Sequence, residues 1–366
     1  MVEESTEGVK MPSNLRTRLE VARAHMKAKR LDEAKIVYEN ILKENPEAVG
    51  AYFGIGQILF LENNFDEAES YFKGALHIND QMAAPLAMLA NISEKREEYE
   101  LALSQHESAL QLNPKMNNIR LGMSRIYVHL KNYEKAEEYL RIAIQYNPQF
   151  VAAGVMLAKI LYKCGKKEEA FSSLDNLISR VPDSWAAFML KGKLLLQENK
   201  YDDAIVSLKN SVKLKPDSPL PLLFLGKAYL AVKNYEQAIS IFKDALVIAP
   251  DMDMLKIQHA KAYILNGSYE EARGILQQLS MGERRLGIIH FMLADVYRKQ
   301  GKTQDALMEY NAALIHADNL TEKHPELFEI SSSSLSDEEK VEAFEKLIRT
   351  IGFEEVSEEM ELEHGE

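Results

Sequence analysis

The sequence predicts an all-α fold of nine consecutive helical hairpins, and three columns of residues predict it. Ala34, Ala68, Ala102, Ala136, Ala170, Ala204, Ala238, Ala272 and Ala306 follow one another at intervals of 34 residues without a slip. Twelve residues before each stands another small residue: Ala22, Gly56, Ala90, Ser124, Ala158, Gly192, Gly226, Ala260 and Ala294. Twelve residues after, six of the nine repeats carry proline: Pro46, Pro114, Pro148, Pro182, Pro216 and Pro250. A fixed period of this length marks a repeat array, in which each repeat buries its apolar face only against its neighbours.

The elements follow in order. Residues 1–14 precede the first repeat and are expected to form a flexible N-terminal segment. Residues 15–320 then hold nine hairpins. Two small residues twelve apart lie on two successive helices joined by a tight turn, and they let those helices approach closely. The segments between are rich in helix formers and poor in interior Gly and Pro. Turn residues recur in Asn64-Phe65-Asp66, Asn132-Tyr133-Glu134 and Asn234-Tyr235-Glu236. Here asparagine is placed to cap the second helix while the aromatic ring packs on the first. Proline ends the second helix, because the residue before it is disfavoured in the α conformation and it has no N–H to donate. Asp80, Arg284 and Asp318 replace that proline, and Ser280–Leu286 reads as a looser junction between the eighth and ninth hairpins.

Past the ninth hairpin the pattern changes, and residues 321–352 read as a linker with capping helices. A helix from Asn319 to Ile330 would pack on the last pair through Leu320, Leu327 and Phe328. Ser331–Ser334 reads as a polar linker. Ser336 and Glu339 form a capping box, and Val341, Phe344, Leu347, Ile348 and Ile351 recur at helical spacing up to Gly352. Terminal repeats need a polar outer cover, so this helix is expected to close the array. Residues 353–366 form an acidic tail with seven glutamates and no Lys or Arg.

These columns resemble the tetratricopeptide repeat: a small residue, an aromatic such as Tyr99, Tyr133, Tyr201, Tyr235 or Tyr269, then alanine, then proline. The resemblance spans about residues 15–320. It implies a right-handed superhelical solenoid in which the first helix of each hairpin lines a concave groove. It also implies a role in protein–protein interaction, without naming a partner. Family members that clamp the C-terminal carboxylate of chaperones use a lysine at the fifth position of a repeat, with Asn and Arg at the sixth. Here the fifth position reads Leu19, Phe53, Ala87, Leu121, Val155, Met189, Leu223, Ile257 and Phe291, so that clamp is not expected.

Composition narrows the function classes. Lys and Arg number 44 against 56 Asp and Glu, a net charge of −12. Residues 331–366 alone carry −9, which leaves −3 for residues 1–330. An acidic chain disfavours nucleic acid as the main partner. A single cysteine, Cys164, excludes an intramolecular disulfide and fits a reducing compartment, so a cytoplasmic location is expected. No run of about eighteen apolar residues predicts membrane insertion.

Chemistry leaves no trace of a catalytic centre. Gly54-Ile55-Gly56 lies inside a helix and is too short for a dinucleotide fingerprint. No phosphate-binding loop, HExxH pair or nucleophile elbow appears, and the nine histidines do not pair at ligand spacing. No enzyme activity, cofactor or metal site is expected.

The candidate site is therefore a surface. Positions five, nine and twelve of each first helix share a face. The ninth position reads Arg125, Lys159, Lys193, Lys227 and Lys261 in five consecutive hairpins. Apolar residues flank this rung, among them Leu121, Met189 and Leu223 at position five and Tyr162 at position twelve. A basic rung between apolar walls suits an extended or helical segment with acidic and apolar side chains. The expected function is a non-catalytic scaffold that binds acidic or amphipathic protein segments and assembles a larger complex. The alternatives are a regulatory or recruiting subunit for an enzyme on another chain, and a nucleic-acid-binding helical repeat. Contact of the acidic tail with the groove in cis is a further expectation. Nothing in the sequence compels self-association.

Overall fold

A computed structural model of the chain describes residues 15–282, 286–316 and 325–351. The described residues form twenty α-helices and no strand, divided into two compact units, residues 1–181 and 182–366.

The first unit holds five hairpins. They are α1 (Leu15–Lys27) with α2 (Leu31–Glu44), α3 (Val49–Leu61) with α4 (Phe65–Ile78), α5 (Ala83–Lys95) with α6 (Tyr99–Leu112), α7 (Asn117–His129) with α8 (Tyr133–Tyr146), and α9 (Val151–Lys163) with α10 (Lys167–Arg180). The second unit holds four: α11 (Trp185–Gln197) with α12 (Tyr201–Leu214), α13 (Pro219–Ala231) with α14 (Tyr235–Ile248), α15 (Asp253–Asn266) with α16 (Tyr269–Ser280), and α17 (Leu286–Lys299) with α18 (Thr303–Ile315). Two further helices, α19 (Glu326–Ser332) and α20 (Asp337–Ile351), complete it. Within each unit, every helix packs on its sequence neighbour.

The two small-residue columns are core. All nine alanines of the first column have no solvent exposure, and every residue of the second column is buried. The space they leave is filled from the second helix by a third column: Tyr38, Phe72, His106, Leu140, Leu174, Leu208, Phe242, Leu276 and Tyr310, each at most 2% exposed. A β-carbon on Gly56 would lie 2.6 Å from the Phe72 ring, and one on Gly192 would lie 2.5 Å from Leu208. Small residues thus let two helices close over one large side chain. His106 is the one polar member of this column.

The turns repeat as strictly as the helices. Lys29, Asn63, Glu97, Lys131, Gly165, Asn199, Lys233, Gly267 and Gly301, again 34 apart, all have positive φ, between 57° and 82°. One left-handed residue reverses the chain in each hairpin, and only three of the nine are glycine. Of the three asparagines expected to cap, two do: Asn132 accepts from the Lys135 N–H at 3.1 Å and Asn234 from the Gln237 N–H at 3.3 Å. Asn64 makes no such bond.

Each stop proline lies two residues past the end of a second helix, yet α4 ends at the same place with Asp80 there instead. The reason is an Asx turn: the Asn79 side-chain oxygen accepts the Gln81 N–H at 3.0 Å. Asn45, Asn113 and Asn147 repeat it at 3.1–3.2 Å. Asp318 and residues 283–285 of the expected loose junction, Arg284 among them, lie outside the described residues.

At the C-terminal end the capping box forms. The Ser336 N–H donates to Glu339 at 2.8 Å, and the Glu339 N–H donates to the Ser336 hydroxyl at 3.3 Å. Val341 and Phe344 of α20 are buried, and Phe344 stacks on Tyr310 with ring centroids 4.9 Å apart. Leu327 of α19 is buried as expected, whereas Phe328 is 63% exposed; Leu320 lies outside the described residues. Ser331 and Ser332 continue α19 rather than link, because the Ser331 hydroxyl donates to Asn311 at 2.6 Å and its carbonyl accepts from Lys340 at 3.1 Å. Residues 1–14 and the acidic tail, 353–366, lie outside the described residues.

Candidate functional site

Two of the rung residues at position nine, Arg125 and Lys193, reach a neighbouring first helix. In the first unit Arg125 reaches back to Glu94 of α5, with Nε and Nη2 each 3.1 Å from a carboxylate oxygen. This two-point pair offsets the charge of the first rung member. Lys159 is exposed, and no hydrogen bond or ion pair engages it among the described residues. Leu121 and Tyr162 are half-buried and pack on the first unit's core, with the Tyr162 ring edge-on to Phe171 at 6.4 Å.

In the second unit Lys193 lies 5.3 Å from the centre of the Phe224 ring, a cation–π contact. Lys227 and Met189 are half-buried, and Leu223 is core, 5% exposed. Lys261 lines a cavity of about 600 Å³ built by α12–α15, α17, α18 and α20. Its apolar lining includes Leu230, Ile264 and Phe291, and its charged lining is Lys233, Lys261, Arg298 and Lys299 with Asp295 and Glu345. Four of these groups are joined in one network: Arg298 pairs with Asp295 at 2.7 Å and with Glu345 at 3.0 Å, and Lys299 with Asp295 at 2.8 Å.

Residues 19–83 match the tetratricopeptide repeat, and residues 79–260 match the tetratricopeptide repeat protein 21 C-terminal ARM domain. The chain is a tetratricopeptide repeat protein. Proteins of this repeat family generally serve as non-catalytic interaction scaffolds. No curated protein sequence matches this tetratricopeptide repeat protein.

Solved structures agree on the fold. A tetratricopeptide repeat protein from Parabacteroides merdae is 20% identical, with a TM-score of 0.52 over 68% of this chain and 98% of that one. Yeast Tom70 is 17% identical, with a TM-score of 0.58 over 91% and 71%. The human IFIT1 dimer with m7Gppp-AAAA is 17% identical, with a TM-score of 0.55 over 94% and 92%. At such identities the likeness is one of fold.

Two features of this tetratricopeptide repeat protein escape the column reading. Val247, Met281 and Ile315 share one register place in the last three hairpins and are 80%, 87% and 74% exposed. The same place holds Lys43, His77, Gln111, Gln145, Ser179 and Lys213 in the first six. In the first unit, a cleft of about 810 Å³ runs between α8 and α10. It is floored by Gly154, Leu157, Leu161 and Leu177, and Gly154 stands where other hairpins have Tyr52, Leu86 or Arg120.

Two histidines are buried without partners for their ring nitrogens. Neither nitrogen of His106 has one, nor has Nε2 of His259. Burial pushes both imidazoles down to about 4; nearby Glu94 partly opposes this at His106, while Arg125 adds to it there and Lys243 at His259. Among the described residues no cluster of His, Cys, Asp or Glu could hold a metal ion, and no helix is long and apolar enough to cross a membrane.

Proposed function

We propose that this protein is a non-catalytic scaffold whose first-helix face binds acidic, apolar-anchored segments of partner proteins and so brings a multiprotein complex together. The observation that carries this reading is the cavity of the second unit, where Leu230, Ile264 and Phe291 offer an apolar floor beside Lys233, Lys261 and Lys299. An amphipathic segment would bury its apolar residues there while its carboxylates meet the cationic rim. Lys193 and Lys227 hold the same register place on α11 and α13 of the second unit, as Lys159 does on α9 of the first. The exposed thiol of Cys164 fits a reducing compartment, which supports a cytoplasmic location.

The test is affinity capture from lysate with two baits. One is the native chain; the other carries Lys159→Glu, Lys193→Glu and Lys227→Glu, with circular dichroism confirming equal helicity. A partner held by the first and lost by the second supports the reading. Identical capture by both baits would overturn it and direct attention to the Val247–Met281–Ile315 stripe and the α8–α10 cleft.

A further inference from the structure

We propose that the protein's own C-terminal segment, residues 352–366, is a ligand of the second unit's cavity and occupies it in cis, in competition with partner proteins. This rests on the reading above that the first-helix face takes acidic, apolar-anchored peptides.

Position is the first argument. Helix α20 is fixed to the ninth hairpin by Phe344 on Tyr310, and the next residue, Glu345, is part of the cavity lining. From Glu345 to the end of α20 at Ile351 the axis advances about 9 Å at 1.5 Å per residue. The remaining chain therefore starts close to the cavity. Its fifteen residues reach up to roughly 50 Å when extended.

Chemistry is the second. The segment carries seven glutamates and no Lys or Arg, with Phe353, Val356 and Met360 at i, i+3 and i+7. That is the spacing of anchors on one face of a helix laid into a groove. The cavity presents four cationic side chains against two carboxylates, with an apolar floor between them.

The third is a precedent in the same place. Glu345 already sits against Arg298 at 3.0 Å, so a glutamate of the C-terminal region is accommodated at the cavity wall. Tethering places the tail at an effective concentration in the millimolar range, and a modest intrinsic affinity then suffices for occupancy.

The experiment uses a fluorescein-labelled peptide of residues 352–366, followed by anisotropy. It is titrated with the native full chain and with a full chain whose seven tail glutamates are changed to glutamine. The expected result is binding at least about tenfold tighter to the neutralised chain, because its cavity is vacated. Adding Lys261→Glu to that chain should weaken the peptide again. Equal affinity for the native and neutralised chains, no binding to either, or indifference to Lys261→Glu would each overturn the proposal. The captured partner separates the two ideas. If it still binds and is still lost on lysine reversal while the peptide fails, cis occupancy falls and the scaffold reading stands. If the partner ignores the lysines as well, both fall.

Discussion

The Phe72 ring stands where a side chain on Gly56 would have to be, 2.6 Å from the place of its β-carbon. Both residues are buried, and the ring cannot swing aside into solvent. Gly56→Ala should therefore destabilise the second hairpin by about 1–3 kcal/mol through overpacking. Guanidinium unfolding followed by circular dichroism reads this directly, and an unchanged midpoint would contradict the packing.

Gly165 tests the backbone instead of the core. Its φ is 80°, and nothing lies within 4 Å of a β-carbon there. Gly165→Ala should cost about 1 kcal/mol from conformation alone. Lys131→Gly, at the equivalent turn, relieves the same strain and should leave stability equal or higher. A stabilising Gly165→Ala would refute the left-handed turn.

Asparagine and proline share the work of ending the second helices. Asn113 is backed by Pro114, whereas Asn79 acts without a proline. Asn79→Ala should cost about 1 kcal/mol, the scale of one net hydrogen bond, and Asn113→Ala clearly less. Hydrogen exchange at the ends of α4 and α6 gives the comparison. Equal effects would mean that proline adds nothing.

His106 makes the fold sensitive to acid. Its imidazole is lowered to about 4 by burial, against an ordinary value of 6.5. The folded state thus favours the neutral ring. The contribution is intact above pH 6.5 and is lost as the pH falls from 6.5 through 4, amounting to about 3 kcal/mol in full. His106→Leu restores the residue type of Leu140 and should flatten stability over pH 4–6.5. A native-like slope in that variant would assign the acid sensitivity elsewhere, with His259 next in line.

The last hairpin leans on its cap. Phe344 has no solvent exposure and stacks on Tyr310. Phe344→Ala should cost about 3–5 kcal/mol. The loss of amide protection should concentrate in α18 and α20, because neighbours carry the stability of a repeat array locally. Loss spread evenly over both units would argue against it.

The hairpins were legible because their cause is periodic. Ala34 and its eight equivalents are small for one packing reason, and a reason repeated nine times stands out from the surrounding variation. The turn residues were not legible, since lysine, asparagine and glutamate at Lys29, Asn63 and Glu97 do not announce positive φ as glycine does. Asn45, Asn79, Asn113 and Asn147 form a column visible in the sequence, yet it stops after four hairpins. The candidate groove was legible only as a row of register places. Lys261 does line a cavity, but Leu223 at position five turns inward to the core and Arg125 is held by Glu94. The contribution of Glu345 depends on how α20 docks, which no local pattern encodes.

The left-handed residues at intervals of 34 give the chain an arithmetic of its own. Excising residues 131–164 would join Leu130 to Gly165, replacing one reversing residue by another and handing α7 the second helix of the next hairpin. Deleting one residue inside α9 would instead turn every later side chain of that helix by about 100° and carry its buried row toward solvent. Over evolutionary time such a molecule changes easily in copy number and hardly at all in pitch, so its descendants are expected to differ from it by whole hairpins.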